Sequence, residues 1–308
     1  MGVGNTLQLA TTYITTDNSY INYYADNTIS GNMTFNGTGS MMLVPHTDGA
    51  SLTVNGAITS AISIGLQSNN ATSISGFVNF GGSNSGITND IWIGEKMVLY
   101  AKSATALGTA AGPTRVYSGG ALVFDLPSSA TVAEPLNITG PGVEGVALIF
   151  LGANDVTLSG NILLTGDAAF SLTDTGAAIF TGVIRGAHNL TYYGGSSTPG
   201  NMILVQNTNT YTGSTTIEDG YVVATVNTAV PSAQVYVNAG LTEDTVMMYN
   251  SSDTAPDNQH VTLTNSATKK AGLVVYTKET IEGISGNGYI SLTSTLELNS
   301  AANYTFGG

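Results

Sequence analysis

Short runs of alternating apolar and polar residues recur along the chain, most of them ending within a few residues at Gly or Asn. Leu52-x-Val54 precedes Gly56, Leu136-x-Ile138 precedes Gly140, Val156-x-Leu158 precedes Gly160, and Ile162-x-Leu164 precedes Gly166. Phe170-x-Leu172, Val261-x-Leu263 and the longer Val146-x-Leu148-x-Phe150 follow the same alternation, which extends from Leu7-x-Leu9 to Leu296-x-Leu298. A period of two puts successive side chains on opposite faces and predicts short strands. The Gly, Asn and Ser between them supply turns through positive φ or local side-chain hydrogen bonds. No comparable stretch shows the 3.6-residue period of a helix. The nearest candidate, 104–111, is brief and ends at Gly112-Pro113.

Longer self-similarity lies above this local pattern. Asn209-Thr-Tyr-Thr-Gly213 is echoed by Asn303-Tyr-Thr-Phe-Gly307. Each has a parallel lead-in, Phe180-Thr-Gly-Val-Ile-Arg-Gly186 in the first case and Ile281-Glu-Gly-Ile-Ser-Gly286 in the second. Val235-Tyr-Val-Asn-Ala-Gly-Leu241 similarly echoes Val116-Tyr-Ser-Gly-Gly-Ala-Leu122, with drifting offsets that indicate loops of varying length. The run Asn209-Thr-Tyr-Thr-Gly-Ser-Thr-Thr-Ile-Glu-Asp-Gly-Tyr-Val-Val223 resembles the strand repeat of bacterial autotransporter passenger domains. The resemblance is good over 180–241, partial over 281–308 and 91–124, and faint before 80. It implies a right-handed parallel β-helix of the kind carried by surface adhesins. Unlike that family's full proteins, no translocator barrel follows, and the chain stops within a motif at Gly308. A fragment, or a subunit completed by a neighbour, is therefore expected.

An all-β solenoid suits the sequence physically, because a single coil cannot bury its apolar face until a neighbour stacks on it. Coils of about 20–25 residues would number about a dozen, and at ~4.8 Å per stacked strand would form a rod roughly 60 Å long. An antiparallel sandwich or jelly roll is the competing architecture, especially for residues 1–80. The chain divides on this reading into a β-rich 1–80 segment, serving as cap or assembly region, and a repeat solenoid over 81–308 with a partial repeat at 281–308.

Composition sharpens the picture. Charged residues make up 9% of the 308, against roughly 25% in ordinary soluble domains, so the Glu, Lys and Arg that helices place on their wet face are scarce. Twenty acidic against seven basic residues give a net charge of −13. That balance opposes nucleic acid, whose phosphates demand Lys and Arg, and anionic membranes. No apolar span approaches the roughly 20 residues of a membrane helix. The first residues, beginning Met1-Gly-Val-Gly, lack the basic and apolar regions of a signal peptide. There is no cysteine, which accords with an extracellular repetitive protein of this length.

Candidate chemistry is sparse. A glycoside hydrolase needs paired carboxylates at fixed separation; Asp155, Asp167 and Asp174 fall in successive strand–turn units, but no paired Asp-Asp, Gly-His-Gly or Arg-Ile-Lys accompanies them, and they read as turn residues. Arg115 and Arg185, the only arginines, sit in no lyase-like motif. His46, His188 and His260 lack metal spacing and read as surface or turn residues. No cofactor is expected. A structural calcium is the one candidate ligand, held by Glu243, Asp244, Asp253 and Asp257 with Asn250 in the loop-like stretch 241–259. Tyr23-Tyr24 and Tyr192-Tyr193 are adjacent pairs, so one ring of each must face outward, where it could stack on a sugar or anchor a partner. Trp92, between Ile91 and Ile93, reads as core. An end-to-end contact is expected to involve Asn5, Leu7, Leu9 and Tyr13 at one end, with Asn303, Tyr304 and Phe306 at the other. The sequence thus predicts a non-enzymatic extracellular structural solenoid, either an adhesin or stalk segment meeting a host, matrix or glycan surface, or a self-assembling filament subunit. A β-helix polysaccharide hydrolase or lyase is the alternative.

Overall fold

A computed structural model describes residues 6–7, 11–15, 19–69, 76–194, 202–240, 244–300 and 305–307. It is an all-β parallel solenoid of about 11 turns. The described residues contain no α-helix, and 104–111 forms turns instead. Its Ala and Leu residues favour a helix, but Gly108, whose φ of 104° leaves the helical region, breaks the stretch before a full helix can form.

The chain clusters into two compact units, 1–149 and 150–308. In the first, one wall stacks Thr6–Leu7, Asn27–Ile29, Ala50–Val54, Gly76–Phe80, Met97–Ala101 and Ala121–Asp125. A second stacks Thr11–Thr15, Asn32–Asn36, Ile58–Ser60 and Gly86–Ile87. A third stacks Ser19–Tyr23, Ser40–Pro45, Ser63–Leu66, Ile91–Ile93, Thr114–Val116 and Leu136–Ile138. Each pair of neighbours is parallel and in register. The antiparallel alternative for residues 1–80 therefore gives way to the parallel one: each coil returns the chain to the same wall running the same way.

The second unit repeats the scheme. One wall runs Ala168–Leu172, Leu190–Tyr193, Thr215–Asp219, Gln234–Asn238, His260–Thr264 and Gly283–Gly286; another runs from Val156–Leu158 to Tyr289–Leu292 through five intervening strands. The coil length can be read from hydrogen bonds between neighbours: Asn209 Nδ2 donates to Ala229 O, 20 residues away, and Lys270 N to Asp244 Oδ1, 26 residues away.

Period-two alternation explains the core. Val156, Leu158, Ile162 and Leu164 are all at most 2% exposed while the residues between them face out. Each such side chain contributes roughly 1.5–3 kcal/mol when buried. Phe150, Phe170, Phe180 and Tyr192 stack through the interior with ring centroids 5.5–6.3 Å apart, mostly edge to face, the arrangement that aromatic quadrupoles prefer. The glycines of the repeat motif have distinct jobs. Gly186 has φ of 129°, a left-handed value that other residues adopt only under strain. Gly213 lies so close to the preceding coil that a Cβ there would run into the His188 carbonyl.

Candidate binding face

The third wall of the first unit carries an outward column quite unlike the Thr, Ser and Asn that line most outer positions. Register places Tyr20 beside Met42, Met42 beside Gly65, Gly65 beside Trp92, Trp92 beside Arg115, and Arg115 beside Asn137. Inward neighbours Ile64, Leu66, Ile91 and Ile93 are fully buried, so alternation turns Trp92 out, where it is partly exposed. The sequence reading had placed Trp92 in the core; the residue obeys the period of its flanking isoleucines instead.

Trp92 lies across a floor made for it. A Cβ built on Gly65 would run into Cζ2 and Cε2 of the indole and come within 2.7 Å of Met42 Sδ; one on Gly94 would sit 3.8 Å from Cζ3. The missing side chain at Gly65 thus lets the ring lie against the backbone, with a polarizable thioether at its edge. Tyr117, 44% exposed, meets the indole edge to face at 6.5 Å and 79°. Its N–H donates to Ile93 O, continuing the ladder one step past the strand. Arg115 is held beside the ring by Asp90, Nε to Oδ2 at 2.8 Å. Asn137 accepts from Arg115 Nη1 at 2.9 Å in the amide orientation that satisfies both its ends. Beneath this corner, Glu134 is 5% exposed; Oε1 accepts from Thr114 Oγ1 at 2.9 Å and Oε2 has no partner. Burial pushes the Glu134 carboxyl up to about 8, with the nearby Asp90 charge adding to the rise and the Thr114 hydroxyl opposing it.

A second aromatic spot lies at the edge of the same wall. Tyr24, 51% exposed, stacks on His46 at 4.6 Å. The imidazole bonds Asn22 through Nε2 at 2.8 Å and Asn69 through Nδ1 at 3.1 Å. Of the adjacent tyrosine pairs, Tyr24 and Tyr193 face out, whereas Tyr23 and Tyr192 are fully buried and offer nothing to a partner. Tyr23 reaches Phe77 O from inside at 3.4 Å. The Tyr192 hydroxyl, buried in the aromatic stack, has no partner, and desolvation holds its acidity far below that of a free phenol.

The remaining candidates are structural bonds or are dispersed. Asp155 Oδ1 accepts from Ala177 N, and Asp167 Oδ1 from Asn189 N, both at 2.9 Å and both to a residue 22 positions on. These carboxylates therefore pin one coil turn to the next. That backbone bond, with further ones from the Asn189 amide and the His188 ring nearby, holds Asp167 below the usual carboxylate range. Asp174 caps its own turn through Thr175 N. Asp244 Oδ1 is engaged by Lys270 N, while Asp253 and Asp257 are exposed; Glu243 lies outside the described residues. Among the described residues, no group of three or more His, Asp or Glu side chains is placed to hold a metal ion. His260 is not a turn residue: it is 6% exposed in the strand His260–Thr264, 2.9 Å from Ser285 Oγ, and burial lowers its pKa.

Of the end residues, Leu7 and Tyr13 lie in strands paired with Asn27–Ile29 and Asn32–Asn36; Asn5, Leu9, Asn303 and Tyr304 fall outside the described residues. Phe306 bridges in parallel to Gly286 and is 37% exposed. Leu292 and Leu298, on the coil to which Phe306 bridges, are 51% and 57% exposed.

Compared with protein-family models, curated proteins and solved structures, the chain finds no match in any of the three. What the fold itself shows is a β-solenoid repeat protein.

Proposed function

We propose that this chain is a non-enzymatic structural solenoid displayed outside a bacterial cell, a passenger-like stalk segment whose outer walls adhere to a partner surface. One observation carries the reading: large aromatic side chains stand on outward positions, where a strand facing only water uses Thr, Ser or Asn. Tyr20, Tyr24, Tyr117, Tyr193, Tyr236 and Tyr276 are 37–61% exposed. Tyrosine presents a large, stiff contact area with a polar tip, and so is favoured where binding must be gained at low entropic cost. The repeat resemblance to autotransporter passengers supports a surface location, and the −13 charge keeps such a chain soluble while exposed.

The test is retention of beads coated with the folded chain on immobilised host matrix and glycan surfaces under flow. Saturable retention that falls when outward tyrosines are changed to Ser supports the reading. Retention no higher than with beads carrying a heat-unfolded chain would remove it.

A filament role is the second reading, favoured by Leu292 and Leu298, which are 51% and 57% exposed in the strands Tyr289–Leu292 and Leu296–Leu298. Parallel strands that carry exposed leucines are a template for a further coil, which a second copy would supply. Negative-stain microscopy across a concentration series separates the two readings: fibres of constant width favour assembly, and separate short particles at every concentration exclude it.

A further inference from the structure

We infer that the strip formed by Tyr20, Trp92 and Tyr117, floored by buried Met42, is a binding site for neutral polysaccharide. The inference rests on the adhesive reading above and names the chemistry of its partner.

The ring plane comes first. Pyranose rings carry a face of axial C–H groups that packs on an aromatic face, and such packing needs an indole held flat and immobile. Trp92 meets this requirement, because Gly65 removes the side chain that would displace it. Tyr117 closes one side at 79° to the indole, making a corner instead of a bare plane. The surface extends beyond one ring: Tyr20, 61% exposed, lies three register steps from Trp92, about 14 Å at ~4.8 Å per step, with buried Met42 and Gly65 as the floor between them. That length suits a chain of sugars better than one.

The polar rim decides the ligand's charge. The guanidinium of Arg115 is already engaged, by Asp90 at 2.8 Å and by Asn137 at 2.9 Å. It can still donate to a hydroxyl, but its charge is largely answered and would not repay the desolvation of a sulfate or carboxylate. The acidic chain as a whole repels polyanions. Exposed Gln67 and Asn22, with half-buried Asn137, supply neutral donors and acceptors beside the strip, as hydroxyl recognition requires. An apolar protein partner would use the aromatics but would leave the exposed amides of Gln67 and Asn22 without a use.

Trp92 is the only tryptophan in the chain, so its emission reports the site alone. Soluble β-glucan, mannan and arabinogalactan are titrated into the intact chain, with alginate and heparin as polyanionic probes. At least one neutral polymer is expected to shift the emission saturably, and the polyanions are not. Gly65→Ala, which displaces the indole, and Tyr117→Ala, which opens the corner, are each expected to weaken binding at least tenfold. Trp92→Ala, followed by affinity electrophoresis in the same polymer, is expected to abolish retardation. Circular dichroism establishes that each variant keeps its fold, and Tyr117→Ala carries the test should Gly65→Ala unfold. Silence toward every neutral polymer, response to polyanions alone, or binding that survives all three substitutions would each overturn the inference. Bead retention without any glycan response would leave the adhesive reading standing and remove this one alone.

Discussion

Replacing Glu134 with Gln should make the protein more stable in alkali while leaving it unchanged in acid. Glu134 sits on an inward position, 5% exposed, with one carboxyl oxygen bonded to Thr114 Oγ1 and the other without a partner. Its carboxyl, normally near 4.5, is pushed up to about 8, chiefly by burial. The folded state therefore keeps a proton that the unfolded chain releases near 4.5. Below that pH both states are protonated and nothing is lost. Between 4.5 and 8 each pH unit costs the fold about 1.4 kcal/mol, and above 8 the cost is complete. The sum is roughly 5 kcal/mol before the side chain relaxes toward water, and about 2–2.5 kcal/mol if relaxation halves it. Gln mimics the protonated acid, keeps an acceptor for Thr114 and never ionises. Thermal unfolding followed by circular dichroism from about pH 4 to 9 should therefore show two coincident curves in acid that diverge steadily, with the variant more stable. For a unit of about 150 residues, a 2 kcal/mol gap corresponds to roughly 4–8 °C. A gap that is constant with pH, or one that opens on the acid side, would refute the assignment of Glu134 as a buried, largely protonated acid.

Other substitutions probe the stack. Asn209, 2% exposed, accepts from Ile184 N and donates to Ala229 O, both at 2.7 Å; Asn209→Ala strands two buried backbone groups and should cost roughly 2–5 kcal/mol in denaturant unfolding, whereas a loss below about 0.5 kcal/mol would show that water replaces the bridge. Phe180 touches Phe150, Phe170 and Tyr192, so Phe180→Ala should cost about 3–5 kcal/mol and lower the thermal midpoint, and an unchanged midpoint would contradict the aromatic stack. Leu292→Lys with Leu298→Lys should suppress any concentration-dependent assembly seen by light scattering without lowering the thermal midpoint; assembly that survives both would place the contact elsewhere.

The walls were legible in the sequence because burial on a solenoid follows strict alternation: Val156-x-Leu158 and Ile162-x-Leu164 needed only their period to be placed inside. At Trp92 hydrophobicity and period conflict: the residue type suggests core, but Ile91 and Ile93 already claim the inner face. Its floor could not be foreseen, since Gly65 precedes it by a full coil and only the register brings the two together. Asp155 and Asp167 could be recognised as turn residues, yet their partners, 22 positions on, depend on coil length. Glu134 was invisible for a different reason. A Glu before Pro135 reads as a solvated turn, and only the packed structure shows it facing inward between coils. Composition alone cannot tell a buried acid from an exposed one.

The most direct check on a solenoid whose outer wall is its working surface is oxidative footprinting of the chain, free and bound to the surface that retains it. Tyrosine, tryptophan and methionine are the residues read. The account predicts that Tyr20, Trp92 and Tyr117 are modified in the free protein and protected on binding, while Tyr23 and Tyr192 stay unmodified in both. Modification of Tyr23 or Tyr192 in the free, folded chain would contradict the coil register, and binding that leaves Trp92 and Tyr117 unprotected would contradict the role given to that wall.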